Sequence, residues 1–138
     1  MRYLIDTNIL IYIVIDKNLL DLSVRKIIEN YENIIYVSSE SVKEFIHLIQ
    51  NERITPKNTF QVNNIVDFIE SELGYTIKYV TQQHLTAFAN LSVITNHNDP
   101  SDRLIISQAI AEKIPLISSN KKFELYRKYK LNFIFNEK

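Results

Sequence analysis

The chain has no cysteine, no tryptophan and a single glycine, Gly74, in 138 residues. Without cysteine there is no disulfide framework, no thiolate metal site and no thiol nucleophile. One glycine cannot write a Gly-rich phosphate loop, which excludes both the Walker motif and the dinucleotide fingerprint. No apolar run reaches the roughly 18 residues that a membrane span needs. The opening Met-Arg-Tyr-Leu-Ile-Asp meets an acid at its sixth position, unlike a secretory leader. Net charge is missing too, since 16 basic residues balance 16 acidic ones. With 46% hydrophobic residues the chain can fill one core, and its length suits one domain over 1–138. These bounds lead us to expect a soluble, cytoplasmic single domain.

The neutral total hides an asymmetry. Residues 1–50 hold five bases and seven acids, 51–102 three and six, and 103–138 eight and three. A basic last quarter beside an acidic remainder reads either as a phosphate-contacting face or as solvated helix surface.

Apolar runs and helical periodicities alternate along the chain. Residues 2–5 read as a buried strand stopped by Asp6, after which Thr7 or Asn8 can cap a helix over 9–15. Helical spacing returns over 22–31, and 33–37 reads as a second strand ended by Ser38-Ser39. Val42, Phe45, Ile46 and Ile49 then fall at i, i+3, i+4 and i+7. Pro56 marks a connection, followed by a helix over 59–73 with Gly74 at its C-terminal cap. A strand over 75–80, helices over 82–91 and 100–112, a strand over 115–117, a short helix over 121–129 and a strand over 132–135 complete the pattern. Such alternation predicts an α/β domain with a mostly parallel sheet of four to five strands and helices on both faces. Ligands of such sheets bind beyond the carboxyl ends of the strands.

Four acids stand where that rule gathers side chains. Asp6 follows the first strand, Glu44 lies in the helix after the second, and Asp99 and Asp102 share one helix start. Clustered carboxylates repel and are costly to desolvate unless a cation compensates. An oxygen-only donor set suits Mg²⁺ or Mn²⁺, and such an ion activates water and neutralises charge growing on a phosphoryl group. Each acid also has a plainer role. Asp6 can accept backbone N–H bonds at a strand end, and Glu44 can be solvated at the edge of its helix's apolar stripe. Asp99-Pro100-Ser101-Asp102 has the form of a capped helix start. Asn120, after the fourth strand, can close a turn beside Ser118 and Ser119. His97 in its Asn-His-Asn loop reads as solvated or as a phosphate contact, and Arg103 as a phosphate contact or the partner of a nearby acid. His47 and His84 have no ligand spacing, and the tyrosines and phenylalanines mostly occupy apolar periodic positions.

In order along the chain, "YLIDTNIL", the Ser38-Ser39 pair before Glu44, "HNDPSDRLIISQA" at 97–109 and "PLISSNKKFELY" at 115–126 resemble the PIN domain. The nearest resemblance is to the VapC-type ribonuclease toxins of toxin–antitoxin pairs. It implies a Rossmann-like PIN fold and an endoribonuclease dependent on Mg²⁺ or Mn²⁺, homodimeric and held inactive by a cognate antitoxin. By motif position Asp6, Glu44 and Asp102 match the family's metal-binding carboxylates, and Asp99 matches the additional acid of the "DPxDR" subgroup. Thr7, Asn8 and Ser118 match the polar residues that orient this shell, with Asn120 assisting. The family often has aspartate where Asn120 stands, which removes one charge that would hold a second metal. Ser101 and Lys43 replace a common Phe and Trp.

The leading expectation is therefore metal-dependent hydrolysis of RNA phosphodiesters, with Arg103, Lys121 and Lys122 on a basic rim for the RNA backbone. The alternative is a catalytically weak or silent module that binds RNA or a protein partner. A phosphatase of the haloacid-dehalogenase type would need a second aspartate where Asn8 stands.

Overall fold

The computed structural model describes residues 1–56 and 61–137. Five strands form one sheet: β1 (Arg2–Ile5), β2 (Ile34–Ser38), β3 (Thr76–Lys78), β4 (Leu116–Ser118) and β5 (Phe133–Phe135). Every pairing is parallel and the order is β3-β2-β1-β4-β5. The α/β class, the parallel sheet and the upper strand number agree with the sequence reading.

Alternation along the central strands sends side chains to two cores. Ile5 and Ile117 join Ile9, Leu10 and Ile13 of α1 (Thr7–Ile15) and Val42 and Phe45 of α3 (Ser39–Gln50). Their strand neighbours Leu4 and Leu116 face Ile105, Ile106 and Ala109 of α6 (Pro100–Glu112), together with Phe123 and Tyr126. A strand buried on both faces must be apolar at successive positions, which is why β1 and β4 read as short continuous runs. Among the described residues the remaining α-helices are α2 (Leu22–Glu29), α4 (Ile65–Asp67) and α5 (Gln82–Asn90). No helix among the described residues is long and apolar enough to cross a membrane.

Two expected helices take other forms. The start of the segment expected over 59–73 lies outside the described residues. Its described part is a composite: a 3₁₀ turn at Val62–Asn64, α4, and a π turn at Phe68–Glu72. Its buried residues Ile65, Phe68 and Ile69 supply one inward-facing turn, too little apolar surface to specify a regular helix throughout. Lys121–Tyr129 is 3₁₀. Its buried residues Phe123 and Tyr126 are three apart, and at three residues per turn both face inward.

Gly74 sits just beyond the π turn with φ +74°, the left-handed conformation expected of a residue closing a helix end. A Cβ there would meet nothing within 4 Å, so strain alone would oppose a side chain. Gly74→Ala should therefore cost about 1 kcal/mol in a denaturant titration, the left-handed strain of alanine less its smaller unfolded-state entropy.

Candidate active site

The sheet order reverses direction at β1, so the crevice beyond β1 and β4 is the topological switch point of the fold. Asp6 occupies it. β1 runs into α1 without a loop because Asp6 keeps an extended backbone and caps the helix, its Oδ1 accepting the Thr7 N–H at 2.8 Å. Its own N–H bonds Ile117 O at 2.9 Å, fastening the residue to β4. The cap is thus Asp6 itself, one residue before the position expected from sequence.

Around this carboxylate stands a layer of small polar groups. Ser118 Oγ donates to Asp6 Oδ2 at 2.7 Å, and Asn8 Nδ2 approaches the same oxygen at 3.3 Å. The Ser119 N–H holds Asn8 Oδ1 at 3.2 Å, and the Asn120 N–H donates to Ser118 Oγ at 3.0 Å. Thr7 Oγ1 donates instead to the buried Ser41 Oγ at 3.0 Å, tying α1 to α3. Ser41 was not singled out from sequence; its one signal is a short hydroxyl on the inward face of an otherwise apolar helix stripe.

Asp99 and Asp102 take the capped form read from sequence. Asp99 Oδ1 accepts the Asp102 N–H at 3.0 Å and Pro100 fills the first helical position. Glu44 is half-buried on α3, which starts directly from β2 through the Ser38 cap.

Electrostatics links these four acids. Asp6 is 3% exposed, and its carboxyl is pushed up to about 7, first by burial and next by the charge on Asp102. Hydrogen bonds from Ser118 and Thr7 pull it down, and Glu44 adds a further rise. Asp102 also lies at about 7, through burial and then the charges of Asp99 and Glu44. Among the described residues no lysine or arginine pairs with any of the four. Nor do three acidic or imidazole groups converge closely enough to hold one cation at once, again among the described residues. By donor chemistry the set suits a hard divalent cation, since it offers carboxylate oxygens that nothing else neutralises.

A polar pocket of ≈360 Å³ opens beside Asp99 and Asp102, lined also by His97, Asn120 and Lys122. Asn120 Oδ1 accepts the Lys122 N–H at 3.0 Å, so the residue caps the following 3₁₀ helix. Lys121 Nζ lies instead 5.8 Å from the centre of the Phe135 ring. Arg103 is committed elsewhere. It is 8% exposed, its Nη2 donates to Leu91 O at 2.7 Å, and its guanidinium lies over Phe88 at 5.0 Å. It neither reaches the pocket rim nor pairs with an acid.

His97 departs furthest from the sequence reading. It is 6% exposed, its Nδ1 lies 2.7 Å from Tyr126 Oη and its Nε2 3.1 Å from Asp102 Oδ2. Burial holds its imidazole below the usual histidine value; Asp99 opposes this, while Lys122 and Arg103 reinforce it.

Comparisons agree with this architecture. A family model described as PIN domain matches residues 3–129. No curated protein matches the chain. Among solved structures, a chain of VapBC2 from Rickettsia felis, bound to a DNA fragment from their promoter, superposes with TM-score 0.66 at 23% identity, covering 99% of this chain and 100% of that one. VapBC-1 from nontypeable Haemophilus influenzae gives TM-score 0.62 at 18% identity, with 98% of each chain covered. FitAcB from Neisseria gonorrhoeae gives 0.60 at 13%, covering 97% of this chain and 96% of that one.

Proposed function

The chain belongs to the PIN domain family, and on that premise we propose that it is a divalent-metal-dependent endoribonuclease and the toxin of a toxin–antitoxin pair. The observation that carries this reading is electrostatic. Asp6 and Asp102, 96 residues apart in sequence, come to one crevice where Asp102 and Glu44 raise the charging cost of Asp6 and Asp99 and Glu44 that of Asp102, and among the described residues neither has a lysine or arginine partner. A protein gains nothing in stability from such an arrangement, whereas a bound cation makes it favourable.

In this reading Asp6, Glu44 and Asp102 hold Mg²⁺ or Mn²⁺, with Asp99 at the edge of the shell. When bound, the ion supplies Lewis-acid neutralisation of phosphoryl charge and a water of lowered pKa. The chain's own groups do the positioning. Ser118 and Asn8 hold the Asp6 carboxylate in one orientation, and the Asp99 cap fixes the backbone at Asp102. Lys122 at the pocket rim supplies a cation for an RNA phosphate.

The VapBC neighbours support a cognate antitoxin as partner. An apolar groove of ≈420 Å³ beside α3 and β3, lined by Val42, Ile46, Val66, Ile77 and Tyr79, suits an amphipathic antitoxin helix. The proposal extends to a homodimer acting in the cytoplasm.

A second reading, a module that binds RNA or a protein without cutting, is favoured by Asn120, which adds a cap rather than a charge. Cleavage decides between them. Purified protein is incubated with single-stranded and structured RNA, with Mn²⁺ or with EDTA, and the ends are mapped. We expect internal cuts leaving 5′-phosphate and 3′-hydroxyl ends, lost in EDTA. RNA retained but uncut in Mn²⁺ and in Mg²⁺ would establish the second reading.

A further inference from the structure

We propose that His97 is a positioning residue that holds the Asp102 carboxylate through Nε2, its tautomer fixed by the buried hydroxyl of Tyr126. The inference rests on the reading of Asp102 as a cation ligand and gives His97 and Tyr126 a role that the resemblance did not assign them.

The argument begins with an anomaly of burial. Asn96 and Asn98 on either side of His97 are exposed, as a polar loop should be, yet the imidazole between them is buried. A buried polar ring is costly unless its nitrogens are satisfied, and here both are. Nδ1 meets Tyr126 Oη at 2.7 Å and Nε2 meets Asp102 Oδ2 at 3.1 Å. The ring is also packed edge-on against Phe123 and Tyr126, with centroids 5.7 and 5.4 Å away. The backbone is held as well: the His97 N–H donates to Ile94 O at 3.1 Å, and His97 O accepts from Tyr126 Oη at 3.1 Å. A merely solvated loop histidine would have none of these constraints.

Proton inventory gives the direction of the chain. An ionised carboxylate only accepts hydrogen bonds, and a neutral imidazole has one donor and one acceptor nitrogen. With Asp102 ionised, as a cation ligand must be, Nε2 carries the hydrogen and Nδ1 must accept. Tyr126 Oη is the hydroxyl against Nδ1, and its one hydrogen is shared between Nδ1 at 2.7 Å and His97 O at 3.1 Å, with its ring fully buried in the second core. Tyr126, His97 and Asp102 thus form a line from the hydrophobic core to the crevice. Asp99 fixes the backbone of Asp102; His97 fixes its side chain. One lone pair of Oδ2 is used, and the rest remain available to a cation.

Partners of this kind in known metal sites change metal affinity or activity by roughly 10- to 100-fold. The test is Mn²⁺ binding at pH 8, read from the electron paramagnetic resonance of free Mn²⁺, on wild type and four variants. Asp102→Asn should weaken binding at least about 100-fold and His97→Phe, which keeps the ring, about 10-fold. His97→Gln, whose amide can donate from the position of Nε2, should recover most of that loss. Tyr126→Phe, one oxygen smaller, should weaken binding several-fold and decides the matter if His97→Phe does not fold. In cleavage assays both should lower kcat and leave KM for RNA unchanged. Tyr126→Phe and any folded His97→Phe binding Mn²⁺ as wild type does, while Asp102→Asn does not, would overturn the inference alone. Asp102→Asn binding like wild type would remove the cation reading and the inference with it.

Discussion

Asp6→Asn should lower Mn²⁺-dependent RNA cleavage by at least about 1,000-fold, several kcal/mol of transition-state charge stabilisation at 1.36 kcal/mol per tenfold, and should do so in a chain that still folds. The substitution separates the two roles of this residue. Its cap depends on an oxygen accepting the Thr7 N–H, which an asparagine Oδ1 supplies equally. Its proposed role in cleavage depends on negative charge beside Asp102 and Glu44, which an amide lacks. Asp102→Asn should behave in the same way, because the bond that starts α6 uses its backbone N–H and not its side chain. Glu124→Gln is the control. That glutamate is exposed, pairs with Arg127 on the 3₁₀ helix and should be dispensable for cleavage. Retention of more than a tenth of wild-type activity in both aspartate variants would remove these carboxylates from the chemistry. Loss of helix content in Asp6→Asn, seen by circular dichroism, would mean that its cap and its charge cannot be separated.

The carboxylates were legible because strand ends and helix starts are local features. Asp6 follows the three-residue apolar run Tyr3-Leu4-Ile5, and Asp99-Pro100-Ser101-Asp102 shows its cap in the order of its residues. The plain and functional readings of these acids prove compatible, since a cap engages one oxygen or a backbone N–H and leaves charge in the crevice. Two other features lay beyond local pattern. Whether His97 is solvated depends on Tyr126, 29 residues later, whose position on an inward 3₁₀ face reads simply as core. The direction of Arg103 depends on the Leu91 carbonyl at the end of α5 and on the Phe88 ring, neither of which marks itself in sequence. Helix type over 62–72 and 121–129 was hidden for a related reason. Apolar spacings of three and four residues are shared by 3₁₀, α and π turns, and a single buried turn does not choose among them.

Thermal stability of the metal-free protein should fall as pH rises from about 5 to 8, and Mn²⁺ should reverse the trend. The sign follows from proton occupancy. An unfolded aspartate releases its proton near 3.8, whereas folded Asp6 and Asp102 keep theirs to about 7. Across that window the folded chain binds more protons than the unfolded one, so stability decreases with pH. The loss should be on the order of 2–3 kcal/mol, about half of what two carboxyls at 1.36 kcal/mol per pH unit give between pH 5 and 7, because the first of the two ionises beside a still neutral neighbour. In melting temperature this is roughly 6–10 °C for a domain of this size. Mn²⁺ competes with those protons, so it should stabilise strongly at pH 8 and hardly at all at pH 5; at a hundred times its dissociation constant the gain is about 2.7 kcal/mol. His97 works in the opposite sense. Its lowered value makes the unfolded chain the better proton binder below pH 6.5, which raises stability with pH. Comparison with Asp6→Asn reduces that contribution to the change that losing the Asp6 charge makes at His97, since both proteins carry the imidazole. The variant should show a flatter metal-free profile, melt higher than wild type at pH 8 and gain little from Mn²⁺. If wild type and Asp6→Asn melt in parallel from pH 5 to 8 and Mn²⁺ moves them equally, the crevice carboxylates are neither strained by repulsion nor relieved by a cation.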